Sequence, residues 1–405
     1  MVAFNPRDPA FIANPYPAYQ ALRETTPVWR SPFGRTFLTR YEDSSLLLRD
    51  RRLGKDYSEP EALIRRFGPT AMDEPAVIEL SHMMLMKDPP DHTRLRGLVS
   101  KVFTARKMED MRAGIQAITD RLLDKVAHRG EMDAIRDLAF PLPVLVICEL
   151  LGIPEEDRAR FVNATASGAA LLNPVPPTRA ELDHANEGTL ASGAYFESLF
   201  ALRRKEPRDD LLSLLVQAEE AGERLTADEL RANVSLLFAA GHETTVNLIG
   251  NGLWSLHMHP AQWAALRDDP SLIPNAIEEI LRYECPVQAV ARTVAEPIAF
   301  GGTEFQKGEL VVALIGAANR DPSVFPDPDR LDVTRERLRP LSFGGGIHFC
   351  IGAQLARIEA EAVFSTLLRR MPDLTLPQRD TPRWRESFTL RGLTTLPATW
   401  TVARH

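Results

Sequence analysis

The stretch F-G-G-G-I-H-F-C-I-G, Phe343 to Gly352, decides the reading of this chain. A glycine triplet precedes His348, and two residues later Cys350 leads into the apolar run I-G-A-Q-L-A-R-I-E-A, which reads as a helix from Ile351. Glycine allows a tight turn and close approach to a flat group, and Gly352 is expected to keep the next turn close. A helix starting here points its amide groups at the sulfur, which favours the thiolate. Cys350 is therefore a candidate for holding a ligand through its sulfur. The residues alone leave open an incidental core cysteine after a glycine-rich turn.

The other two thiols have no such context. Cys148 lies inside V-L-V-I-C-E-L-L and Cys285 directly precedes Pro286, so both are expected in the core. No C-x-x-C pair occurs, which fits a reducing compartment. The net charge of −7, with both signs interspersed, argues against nucleic acid as the main partner. The N-terminal M-V-A-F-N-P lacks a signal-peptide pattern, and the longest apolar stretch, Leu138 to Ile153, is too short to span a bilayer and carries Pro141, Pro143 and Glu149. No membrane association and a cytoplasmic location are expected.

Helical periodicity dominates from about Asp91 to Tyr283. Strand-like alternation is confined to Thr36–Thr39, Ile298–Phe300, Leu310–Leu314 and the last thirty residues. The expected class is mainly α with small β-sheets. No linker or repeat divides the chain, and N-P-V-P-P at Asn173–Pro177 lies between two helical segments, so residues 1–405 are expected to form a single domain. The longest helix begins at Thr226, where Glu229 completes a capping box, and meets no proline before Pro260. Its middle, A-A-G-H-E-T-T at Ala239–Thr245, interrupts apolar surroundings with small and polar residues.

The Cys350 run closely resembles the heme-binding signature of the cytochrome P-450 family, and the likeness continues through A-Q-L-A-R, Ala353–Arg357. A-G-H-E-T-T at Ala240–Thr245 resembles the family's oxygen-activation motif, and E-I-L-R at Glu279–Arg282 its E-x-x-R core. D-P-P-D-H-T-R-L-R at Asp88–Arg96 and A-N-R-D-P at Ala318–Pro322 also match, so the resemblance covers nearly the whole chain. It implies a cytochrome P-450 fold with heme b between the long central helix and the Cys-bearing loop. Cys350 is then the axial thiolate and metal ligand, a donor that favours O–O cleavage over simple oxygen carriage. Phe343 is expected to pack beside it, with Gly352 also against the heme. His92 and Arg96, four apart on one helix face, join Arg292 and His348 as cations for the two propionates.

By the same resemblance, Ala240 and Gly241 are cofactor-binding, with Gly241 leaving room for dioxygen, the co-substrate. Thr244 is expected to bond the Ala240 carbonyl and locally distort the helix. Glu243 and Thr244 are the catalytic pair that passes protons. His242 is given no role. Glu279 and Arg282 are expected to join Arg330, or a residue near it, in a buried structural network, and a Glu278–Arg282 pair is equally compatible with the spacing.

No nicotinamide, flavin or iron–sulfur motif is present, so electrons must come from separate proteins; the resemblance implies a ferredoxin or flavodoxin with its reductase. Lys101, Arg106, Lys107 and Arg112 are candidates for docking such acidic carriers. A monomer is expected. The family's substrate-lining positions correspond to Leu85, to Leu171 and Leu172, to Leu236 and Ala240, to Val287–Val290, and to Thr389 and Leu390. They are mostly apolar, which points to a lipophilic substrate such as a terpenoid, steroid, fatty acid or polyketide. The expected reaction is hydroxylation or epoxidation by a heme-thiolate monooxygenase. A peroxide-driven heme-thiolate oxidase and a non-catalytic heme-binding sensor are its rivals.

Overall fold

A computed structural model of the chain describes residues 5–32, 34–55, 59–158, 171–173, 176–220 and 225–402. Pro174 and Val175 of the anticipated hinge lie outside the described residues. The helices that carry the argument are α1 (Tyr41–Arg49), α2 (Asp91–Val99), α3 (Arg112–Ala127), α4 (Arg179–Lys205), α5 (Ala227–Met258), α6 (Ile273–Tyr283) and α7 (Ala353–Arg370). Contacts divide the chain into two compact units. The first holds residues 1–53, 108–143 and 244–405, and the second residues 54–107 and 144–243.

The first unit is built on a small mixed sheet. Strands β1 (Val28–Arg30), β2 (Arg35–Leu38), β3 (Ala289–Val294) and β4 (Leu310–Leu314) lie in the order β1-β2-β4-β3, with a short strand beginning at Leu53 on the far edge. β4 runs parallel to β2 and antiparallel to β3, with Val312 opposite both Phe37 and Ala291. Val311, Val312, Ala313 and Leu314 are fully buried, as a central strand covered on both faces requires. In the same unit, α7 packs on α3 and α6. α6 is strongly amphipathic and buries Ala276, Ile277, Ile280 and Leu281 together with Glu279 and Arg282.

The second unit is helical. Leu63, Phe67, Ala71, Val77, Leu80, Met86, Leu171, Leu182 and Ala185 form its core. α4 starts at a capping box in which Thr178 and Glu181 satisfy one another's amide groups.

The anticipated long helix is α5, and its capping box is present. The Thr226 amide donates to Glu229 at 3.0 Å, and the Glu229 amide donates to the Thr226 hydroxyl at 3.2 Å. Glu229 also accepts two bonds from Arg94 of α2, at 2.6 and 3.0 Å. The strands at Ile298–Phe300 and Leu310–Leu314 fall where alternation placed them, and the one near Thr36 is shifted by one residue. β3, at the sheet's edge-to-centre position, carries no clean alternation because both its faces are covered.

Candidate active site

The Cys350 loop is held from beneath by polar contacts that its own motif does not reveal. The Leu341 amide donates to Asn319 Oδ1 at 2.8 Å, Asn319 Nδ2 donates to Ser342 Oγ at 2.8 Å, and Ser342 Oγ donates to the Leu281 carbonyl at 2.6 Å. Cys285 completes the brace, its thiol donating to the Val287 carbonyl at 2.9 Å and lying 3.3 Å from Ser342 Oγ. From this base the chain turns through Gly344, at φ +74°, and Gly346, at φ +62°. The Cys350 amide then donates back to the Phe343 carbonyl at 2.9 Å.

Two glycines also meet a packing constraint that the sequence did not indicate. A Cβ on Gly345 would lie 3.3 Å from Leu48 and Arg49 side-chain atoms, and one on Gly346 would lie 2.6 Å from the Leu48 carbonyl. They let the loop seat against the end of α1. Gly352 does not hold a turn close, because a Cβ there meets nothing within 4 Å. The space beside it, next to the cysteine, is open. α7 begins at Ala353, not Ile351, with Gly352 as its N-cap residue and its carbonyl accepting the Ala356 amide at 3.0 Å.

The three thiols separate clearly. Cys148 and Cys285 are fully buried, and burial pushes each thiol up to about 12. Cys350 is exposed. Phe343 lies beside the cysteine loop, its ring 6.4 Å from that of Phe349 and 4.5 Å from the guanidinium of Arg357.

Glu279 and Arg282 form the buried pair that the E-x-x-R spacing indicated, with Nε–Oε2 at 2.7 Å and both side chains at 0% exposure. Arg282 also donates to the carbonyls of Asn319, Pro328 and Arg330. The third side chain is Arg335, whose Nε reaches Glu279 at 3.2 Å. Arg330 contributes only its carbonyl, because its side chain is 65% exposed and faces Asp332. Glu278 does not pair with Arg282; it binds Arg357 of α7 at 2.5 Å. The helical rotation of α6 puts successive glutamates on different faces.

Along α5 the burial pattern marks a face. Leu236, Leu237, Phe238, His242, Glu243 and Thr245 are buried, whereas Ala240 is exposed and Gly241 and Thr244 are half-buried. Positions 240, 241 and 244 share one side of a helix. The helix is continuous through Thr244, so the anticipated distortion does not break it. Gly241 has a local reason for its size, since a Cβ would press 3.1 Å from Ile147. His242 is a core residue, bonded to the Phe238 carbonyl at 2.9 Å.

The anticipated propionate cations fall in both units. In the second, His92 and Arg96 lie one turn apart on α2, with His92 3% exposed. In the first, Arg292 is 3% exposed on β3 and donates to the Ala291 carbonyl, while His348 is half-buried on a short helical turn of the cysteine loop.

The anticipated pocket residues divide. Val287 and Leu390 are brought together by an isolated β-bridge, and Val290 packs on the sheet's core. Leu171 is buried at 2% exposure in the helical unit's core cluster, with Leu85 and Leu172 packed on it. Leu236 is buried at 8%. Among the docking candidates, Lys101, Arg106 and Lys107 are exposed. Arg112 is committed to Glu109 at 2.5 Å and Glu361 at 2.7 Å.

The family profile described as Cytochrome P450 matches residues 184–402. Cytochrome P450 107B1 of Saccharopolyspora erythraea is 46% identical over 400 residues, covering 96% of each chain. The chain belongs to the cytochrome P450 family. Another similar protein, the vitamin D(3) 25-hydroxylase of Pseudonocardia autotrophica, is 44% identical over 96% of this chain and 94% of its own. The crystal structure of P450BioI in complex with a hexadec-9Z-enoic acid-ligated acyl carrier protein shares 39% identity and a TM-score of 0.90, covering 97% of this chain and 99% of that one. The mainly helical P450 fold and the assignment as a P450 monooxygenase, an oxidoreductase, follow. Among the described residues, no helix is long and apolar enough to cross a membrane.

P450 enzymes use heme iron and oxygen, and the residues present fit that group. The exposed thiol stands at a helix start, beside space that a Cβ at Gly352 would enter, and the cysteine loop is held rigidly from below.

Proposed function

We propose that the chain, as one domain, is a heme b-thiolate monooxygenase that hydroxylates or epoxidises a lipophilic small molecule with electrons from a separate ferredoxin or flavodoxin and its reductase. The observation that carries this reading is Cys350: the exposed thiol among three, on a braced glycine loop at the start of α7. Thiolate-bound heme iron supplies activation of dioxygen for insertion into an unactivated carbon centre.

Cys350 would hold the heme iron through its sulfur, and Phe343 would limit water there. Arg292 and His348 of the first unit would offer cations to the propionates, as would His92 and Arg96 of the second, since carboxylates are costly to bury alone. Ala240 and Gly241 are small residues of α5 that would leave room for the heme and dioxygen. Glu243 takes protons from solvent and Thr244 positions them through its hydroxyl. A cytoplasmic monomer is the state in which a separate electron carrier reaches the enzyme.

The apolar character of Val287, Val290 and Leu390 supports a lipophilic substrate. The names of the vitamin D(3) hydroxylase and of the acyl-carrier complex point the same way, towards a steroid-like or fatty acyl compound. The test is spectroscopic. The reduced, carbon monoxide-bound protein is expected to show the red-shifted Soret band of a thiolate heme, and Cys350→Ala to lose it. Retention of that band in the variant would overturn the assignment.

A further inference from the structure

We propose that the Glu278–Arg357 ion pair, seated on the face of Phe343, tunes electron donation by the Cys350 sulfur and thereby sets the reduction potential of the bound heme. The inference rests on Cys350 being the heme ligand. Arg357 stands seven residues after the cysteine and Phe343 seven before it, and the two meet. The guanidinium carbon is 4.5 Å from the ring centroid, within range of a cation–π contact. Phe343 is tied to Cys350 by the 2.9 Å bond from the cysteine amide to its carbonyl, so the ring that carries the cation belongs to the ligand loop.

Arg357 is held there from two sides. Its Nε and Nη2 bind the two oxygens of Glu278 at 2.5 and 3.3 Å, and its Nη1 reaches the Ala353 carbonyl at 3.4 Å, over the first turn of α7. The side chains of Arg357 and Glu278 are only 28% and 23% exposed, so solvent screens them less than a surface pair. A positive charge near the sulfur stabilises the reduced, more negative iron. A negative charge does the opposite. The pair keeps them balanced, and either partner alone leaves a net charge beside the ligand loop. Arg357 and Glu278 are positioning residues, acting through Phe343 and the loop.

The test is the reduction potential of the heme-loaded enzyme by spectroelectrochemistry. Glu278→Gln leaves Arg357 uncompensated and is expected to raise the potential, whereas Arg357→Gln leaves Glu278 and is expected to lower it. Each is expected to change the one-electron reduction constant about tenfold, ~59 mV. The double variant is expected to return close to the wild-type value, and Arg357→Lys, which keeps the charge without the planar stack, to fall between. A purely structural anchor between α6 and α7 predicts lost thermal stability without shifts of opposite sign. Unmoved potentials, or single variants moving in the same direction, therefore overturn the proposal. Should Arg357→Gln not retain heme, Glu278→Gln and Arg357→Lys still decide. A wild-type protein lacking the thiolate band with carbon monoxide would instead remove the heme-ligand assignment itself.

Discussion

At the scale of single residues, Glu279 shows how much one buried charge carries. It accepts from Arg282 through both oxygens, from Arg335, and from the Asp332 amide at 2.9 Å, with no exposure of its own. Glu279→Gln strips Arg282 of its counter-ion in a buried site and is expected to cost about 3–5 kcal/mol in denaturant unfolding. Arg335→Gln removes one charge-assisted bond at a side chain 12% exposed, and about 1.5–3 kcal/mol is expected. The same burial logic gives the thiols a pH signature. Cys148 and Cys285 are raised in the fold to about 12, against about 8.5 in an unfolded chain. The stability tied to them is complete below about pH 8.5 and falls as pH rises towards 12, because the unfolded chain releases protons that the folded one keeps. At its steepest the loss is about 1.4 kcal/mol per pH unit for each thiol. Melting temperature followed from pH 8 upward should decline less steeply in Cys148→Ala than in the wild type.

At the scale of elements, the start of α5 serves two purposes. Thr226 caps the helix, while Glu229 both completes the cap and anchors Arg94 of α2, the helix bearing His92 and Arg96. Thr226→Ala is expected to cost about 1 kcal/mol, as loss of an N-cap does. Glu229→Gln should cost more, since it also weakens the hold on Arg94, and the difference between the two is measurable by urea denaturation. The cap was legible in sequence because it depends on residues three apart. The brace under the cysteine loop was not. Asn319, Ser342 and Cys285 come from separate segments, and nothing local in their sequence announces that they meet. Arg335 escaped notice for the same reason, and Arg330, which the P-D-P-D-R segment made conspicuous, turns its side chain to solvent.

At the scale of the whole molecule, a net charge of −7 opposes association with an acidic electron carrier unless basic residues are locally concentrated. Lys101, Arg106 and Lys107 are exposed and suited to that task, while Arg112 is spoken for by Glu109 and Glu361. Reduction by a ferredoxin is therefore expected to slow between low and physiological salt, where screening shortens to about 8 Å. Lys101→Glu with Lys107→Glu should slow it further and flatten the salt dependence in stopped-flow measurements. By itself the sequence determined the family and the long capped helix and singled out Cys350, because each is written in short-range spacing that backbone periodicity converts into a shared face or turn. Only the tertiary structure decided which partner each charge took, why Gly346 must be glycine, and what Gly241 and Leu171 pack against. Those outcomes depend on close packing and charge burial among segments far apart in the chain, where the nearest neighbour is set by the fold and not by sequence distance.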